Sequence, residues 1–197
     1  MSELQTVPDS TLLNEEEIEY KIEKATQTLE RNIGFISGCD NKTSIILTAL
    51  GVLLTIILTN DGLNAIFKII NSCVIEKTFC NILYLLCLIS SIVILLFGMY
   101  KLGSVLIART KASAKILNSY NSRIFFSGII KNDNLEQYKK KFYAMNKAEL
   151  LDELIIEIYI NADIATKKYD NYNSGFKLSI VGFILFVSIL LIGIYIY

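Results

Sequence analysis

The chain contains no histidine. That removes the commonest general base, the commonest metal ligand and the side chain that titrates near neutral pH. It has no tryptophan, and one proline, Pro8, in 197 residues. Ten glycines complete a sparse set of chain breakers, which favours long helices over sheets. The four cysteines, Cys39, Cys73, Cys80 and Cys87, stand 34, 7 and 7 residues apart. None forms a C-x-x-C pair, so zinc binding and dithiol redox chemistry have no framework. Nor is there a P-loop, a G-x-G-x-x-G turn or a paired acidic metal site. Nothing supports catalysis: the chain reads as a non-enzyme without cofactor or metal.

What is present is apolar and unevenly charged. Hydrophobic residues make up 53% of the chain. Charge is absent from Thr43–Asn60 (18 residues), Thr78–Tyr100 (23) and Leu178–Tyr197 (20). A helix needs about 20 residues to cross the hydrocarbon core, so all three qualify as transmembrane spans. The first run follows 42 residues rich in acids, which does not fit a signal peptide.

Lysine and arginine set the expected orientation. Residues 1–42 hold four of them against nine acids, and residues 101–177 hold 13 against eight. The 61–77 connection holds only Lys68 and Lys77. The expected order is therefore a cytosolic segment 1–42, span 43–60, a short outer loop 61–77, span 78–100, a cytosolic helical region 101–177 and span 178–197. Gly62–Ile75 is amphipathic and suits the outer interface. Cys73 and Cys80 there either pair in an oxidising exterior or pack as two apolar residues.

The spans continue as helices into water. Ile18, Ile22, Ala25, Leu29, Asn32 or Ile33, and Ile36 recur at steps of three and four, a near-heptad stripe. Asn14 with Glu17, Asn134, and Asn146 with Glu149 read as helix starts. Past the second span, Leu102, Val105, Leu106, Arg109, Ile116 and Tyr120 continue helically as far as Ser127–Gly128. Leu150, Leu154, Ile158, Ala162, Ala165, Tyr169 and Tyr172 lead into the last span, and a helix over 147–197 would be about 75 Å long. The fold class is thus all-α: an integral membrane protein whose three transmembrane helices extend into long cytosolic helices, too thin in apolar area to stand alone and so expected to assemble as an oligomeric bundle.

The first span carries Ser44, Thr48, Gly51, Thr55 and Thr59 on one face. A small, hydroxylated stripe serves close helix packing or lines a water-filled pore made by several copies. No span has a charge at its centre, which argues against proton-coupled transport. Lysines alternate with rings at Lys139, Lys140, Lys141 and at Lys167, Lys168, Tyr169. Such clusters bind phosphates and stack on bases, or meet anionic lipid headgroups, or form a solvated face. At the entry to the first span, Asp40 and Lys42 flank the point where the helix leaves water. They serve either as inter-subunit charges or as charges at a pore mouth.

Three segments together carry a resemblance: "CDNKTSIILTALG", "SRIFFSGII" and "IYINADIATKKYDNYNSGFKLSIVGFIL". Over roughly residues 15–197 the chain resembles the Pycsar effector-like transmembrane family of bacterial anti-phage effectors, with Asp40, Lys42, Phe126, Lys168 and Tyr169 matching its pattern. The small channel effectors of Hailong systems follow a related logic. The resemblance implies a multi-pass protein of the bacterial inner membrane with a cytoplasmic N-terminus. It implies control by a nucleotide or short oligonucleotide from a partner nucleotidyltransferase or cyclase; because three spans of one copy cannot enclose a channel, the expected assembly is a homo-oligomer, with a tetramer as the working number. Opened, such a channel would depolarise the membrane and arrest the infected cell, an abortive infection. The alternative is a non-conducting membrane anchor or scaffold that recruits a partner through its cytosolic helices.

Overall fold

The computed structural model describes residues 14–76, 78–108 and 122–197. All regular structure among them is helical: α1 (Glu15–Ile57), α2 (Asn60–Glu76), α3 (Phe79–Leu106), α4 (Phe126–Ile129), α5 (Leu135–Tyr143) and α6 (Lys147–Ile196). Three asparagines cap helix starts as the sequence predicts. Asn14 Oδ1 accepts the Glu17 N–H at 2.8 Å, Asn134 Oδ1 that of Gln137 at 2.9 Å, and Asn146 Oδ1 that of Glu149 at 2.8 Å. α1 runs without a break through Gly38. α1, α3 and α6 are each long and apolar enough to cross a membrane.

Two expectations are corrected. The connection 61–77 is not a short loop: the 17-residue α2 occupies nearly all of it. The helix of the second span does not continue to Ser127. It ends at Leu106, and Ile107 is extended with φ −67° and ψ 125°. In the last turn of α3 the Val105 carbonyl accepts the Lys168 ammonium at 2.6 Å. A cation there also suits the negative end of the helix dipole. Arg109, Ile116 and Tyr120, which the sequence places on that continuation, lie outside the described residues.

The chain divides into two compact units. The first takes α1 up to Ile36 and the chain from Ser122 to Thr166. Its core is Ala25, Leu151 and Leu154, with Ile22, Leu29, Ile124, Leu150 and Ile158 packed on them. The α1 stripe predicted from sequence thus faces α6, and Asn32 rather than Ile33 takes the fifth place. Asn32 Nδ2 donates to the Ile158 carbonyl at 3.3 Å, while Ile33 is exposed. Lys147 closes the first turn of α6 onto Glu19 of α1 at 2.6 Å.

The second unit takes Ser37–Ala108 and Lys167–Tyr197. Its largest cluster is Leu88, Phe186 and Leu190, with Leu54 and Ile57 of α1 and Ile66 of α2 against it. α3 and α6 meet through small residues. A methyl group added at Gly182 would stand 2.7 Å from the Leu95 Cα, and one at Gly175 would stand 2.9 Å from the Leu102 amide. One at Gly98 would strike the Ser179 backbone and hydroxyl. Lipid tails are as apolar as leucine, so spans associate through such close packing rather than through the hydrophobic effect. At the other end of this unit, Tyr197 donates to Asn81 Oδ1 at 2.6 Å, Asn81 donates to Glu76 at 3.2 Å, and Tyr84 donates to the Ile189 carbonyl at 2.9 Å. All four cysteines are free thiols: Cys39 and Cys73 buried, Cys80 and Cys87 exposed.

Gly98→Ala should therefore destabilise the α3–α6 seam by roughly 1–3 kcal/mol, the usual cost of overpacking. Gly103→Ala, whose added methyl meets nothing within 4 Å, should be neutral or stabilise by about 0.5–1 kcal/mol. Loss of the monodisperse size-exclusion peak on heating in detergent would rank the two; equal melting would refute the close crossing.

Candidate functional site

α1 presents two different faces within the second unit. Cys39, Thr43 and Leu50 are buried, and Leu54 and Ile57 are half-buried against the core. Ser44, Thr48 and Thr55 are exposed and Gly51 half-buried, so the small polar stripe faces away from the chain's own core; Thr59, placed on it from sequence, lies past the end of α1 at Ile57, where its hydroxyl accepts the Gly62 N–H at 3.5 Å. The reason is local: residues at 39, 43, 50, 54 and 57 repeat at steps of three, four and seven, and the stripe lies one residue further round the helix. Thr55 satisfies its hydroxyl on the Gly51 carbonyl at 2.9 Å, which leaves it compatible with a lipid, protein or water neighbour.

The stripe begins beside a buried charge. Lys168, with 3% of its side chain exposed, donates to Asp40 Oδ1 at 2.5 Å and to the Val105 carbonyl at 2.6 Å. One ammonium therefore ties α1, the last turn of α3 and α6 together. Asp40 finds its partner in its own chain, not first in a neighbouring subunit, and it keeps 34% exposure. Lys42 is exposed. Two of the five residues that match the family pattern, Asp40 and Lys168, thus meet in space although 128 positions separate them.

Lys139, Lys140 and Lys141 are exposed on α5. Lys167 and Tyr169 flank Lys168 on α6 and are half-buried. Phe126, in the aromatic–glycine segment, is 61% exposed and meets Phe125 with the rings tilted by 46° and their centres 4.6 Å apart. Lys168 is committed to Asp40 and Lys167 stands beside it on α6, while Lys139, Lys140 and Lys141 belong to α5 in the first unit.

Sequence reasoning missed an acidic line on α6. Glu149, Glu153 and Glu157 repeat every four residues, one position before the apolar stripe Leu150, Leu154 and Ile158. Glu153 and Glu157 are buried. Arg123 holds Glu153 Oε1 at 2.5 Å and Glu149 Oε2 at 2.9 Å. The Arg123 N–H donates to Glu153 at 2.8 Å and the Ser122 hydroxyl at 3.4 Å. These bonds anchor the segment Ser122–Gly128 on α6, and they raise the Arg123 pKa above its ordinary value. Glu157 is pushed above the usual carboxylate range, first by burial and then by the Glu153 charge, against the opposing hydrogen bond from Ser122. The available signal was the i, i+4 spacing of three glutamates beside a core stripe, which sequence alone assigns to a solvated face.

Three apolar helices with a buried charge at the boundary of the span and a stripe of small hydroxylated residues beside it define a class: an all-α, three-span integral membrane protein. The model of the Pycsar effector protein domain matches residues 24–195. The Pycsar effector protein GmPycTM of Gulbenkiania mobilis is 30% identical over 186 residues, which cover 89% of this chain and 92% of that protein. No solved structure matches. The chain belongs to the Pycsar effector family.

Two outcomes follow from the ionic groups. Asp40→Asn leaves the Lys168 ammonium buried without its anion and should cost roughly 3 kcal/mol, the low end for a broken buried pair because a third of Asp40 meets solvent. The double variant Asp40→Asn/Lys168→Met should regain most of that loss, since an apolar replacement of a buried pair is often neutral. A double-mutant cycle on thermal stability in detergent measures the coupling, and additive losses would contradict the pairing. For Glu157 the folded pKa is raised, so the fold binds the proton more tightly than the unfolded chain does. Its favourable contribution is present below the ordinary value of 4.5 and lost as pH rises through the raised value. Glu157→Gln should therefore raise the melting temperature at pH 7.5 and change it little at pH 4.5; an equal gain at both would rule out a proton-linked origin.

Proposed function

We propose that this chain, a membrane effector of anti-phage defence by its family, is one subunit of a homo-oligomeric channel whose opening is controlled by a nucleotide signal. The single observation that carries the channel reading is the stripe of Ser44, Thr48, Gly51 and Thr55, which points away from the core of its own chain. Three spans cannot enclose an aqueous path, so water must be held between copies. In such an assembly α1 lines the path with hydroxyls and Gly51, and α3 with α6 forms the support behind it.

Asp40 and Lys42 then lie at one mouth of the path, with Asp40 held by Lys168 and partly exposed. The Lys and Arg bias puts that mouth and the N-terminus on the cytoplasmic side of the bacterial membrane. The relative from Gulbenkiania mobilis is named a Pycsar effector, and the nucleotide control belongs to the same proposal: a partner cyclase makes the signal and the assembly responds to it. Opening dissipates the membrane potential and halts growth of the infected cell.

Purified protein in liposomes should pass ions in one ligand state and not in the other. Thr48→Leu/Thr55→Leu should lower single-channel conductance several-fold while the oligomer keeps its size by mass photometry. Liposomes that stay tight under every cyclic mononucleotide tested would favour a non-conducting anchor. Unchanged currents in the double variant would remove α1 from the path but leave the channel.

A further inference from the structure

The face of α5 turned away from the first unit is neither polar nor apolar throughout. The inward side is pinned by three contacts. Tyr138 donates its hydroxyl to the Arg123 carbonyl at 3.2 Å, Lys141 reaches Asn132 Oδ1 at 2.7 Å, and the Gln137 side chain accepts the Asp133 N–H at 2.8 Å. With the helix so rotated, Leu135, Lys139 and Tyr143 fall in line at steps of four on the outward side. Leu135 is 64% and Tyr143 80% exposed, and Ile130, just before the helix, is 81% exposed. Lys140 is exposed beside them.

Two properties of this face select its partner. It is made by one short helix of nine residues. It is also basic: Lys139 and Lys140 stand on it against Glu136, which pairs with Lys139 at 3.3 Å, and Lys131 precedes the helix, in a chain whose net charge is zero. A globular face in water gains nothing from presenting an isoleucine, a leucine and a tyrosine between lysines. An anionic bilayer surface takes both parts, with the apolar side chains at the headgroup–acyl boundary and the ammonium groups among phosphates. Lysine stems add apolar length to the same contact.

We infer that the outward face of α5, with Ile130, rests on the surface of an anionic bilayer. Its consequence is that the first unit is sensitive to lipid charge, through Arg123 and the glutamates of α6 on which α5 is mounted. This goes beyond channel formation and does not depend on it.

Because the chain has no tryptophan, Tyr143→Trp in the full-length protein gives a single indole on this face. The protein would be placed in nanodiscs of phosphatidylcholine alone or with phosphatidylglycerol. The expected result is emission at shorter wavelength in the anionic discs, quenching by brominated acyl chains, and loss of both effects with Lys139→Glu/Lys140→Glu. Leu135→Trp, on the same face, repeats the measurement should Tyr143→Trp fail to fold. Water-like emission that aqueous iodide quenches equally in both discs would overturn the inference. A short-wavelength emission that brominated lipid leaves untouched would overturn it in favour of a protein contact. Quenching or shielding by added nucleotide, with no lipid dependence, would overturn it in favour of a phosphate-ligand site.

Discussion

Burying one ammonium is the constraint from which much of the second unit follows. A lysine at 3% exposure near the edge of an apolar span is costly unless an anion and a carbonyl meet it. Lys168 obtains both, from Asp40 of α1 and Val105 of α3. The bond to Val105 falls in the last turn of α3. The bond to Asp40 sets the rotation of α1, turning Cys39 and Thr43 inward and the Ser44–Thr55 stripe outward. The location of the polar stripe is thus coupled to the place of a single charge.

The rest of the second unit depends on closeness rather than on charge. Gly98, Gly175, Ser179 and Gly182 let α3 and α6 approach until a methyl group has no room. Close packing then holds two helices that the hydrophobic effect cannot hold in lipid. Ser179 Oγ is buried there without a hydrogen-bond partner. At the far end, the Asn81, Glu76 and Tyr197 bonds close the unit with polar groups suited to a membrane–water boundary. The first unit is held differently, by a small apolar core of Ala25, Leu151 and Leu154 and by Arg123 shared between two glutamates. Its forces are those of a water-facing helical bundle, and its carboxylates give it a pH dependence.

The helices were legible because their causes are local. Asn14, Asn134 and Asn146 cap through their own side chains, and the stripe from Ile18 to Ile36 is a periodicity of one segment. Asp40 and Lys168 were each visible as members of a family pattern, yet their meeting was not, since 128 positions separate them. The α3–α6 seam left a trace in the spacing of Gly175, Ser179 and Gly182, which has meaning only beside a partner helix. Lys139 to Lys141 and Lys168 looked alike in sequence because a lysine next to an aromatic ring is the same signal whether it is exposed or buried.

By itself the sequence determined the helical class, the three spans and the family, since apolar run length, helix caps and the paucity of breakers act along the chain. Only the tertiary structure decided which face of α1 is polar and free of its own core, where α3 ends, and which lysine is a structural pin. Those depend on a charge pair and a close crossing between distant segments, and the energies that select them exist only when the segments touch.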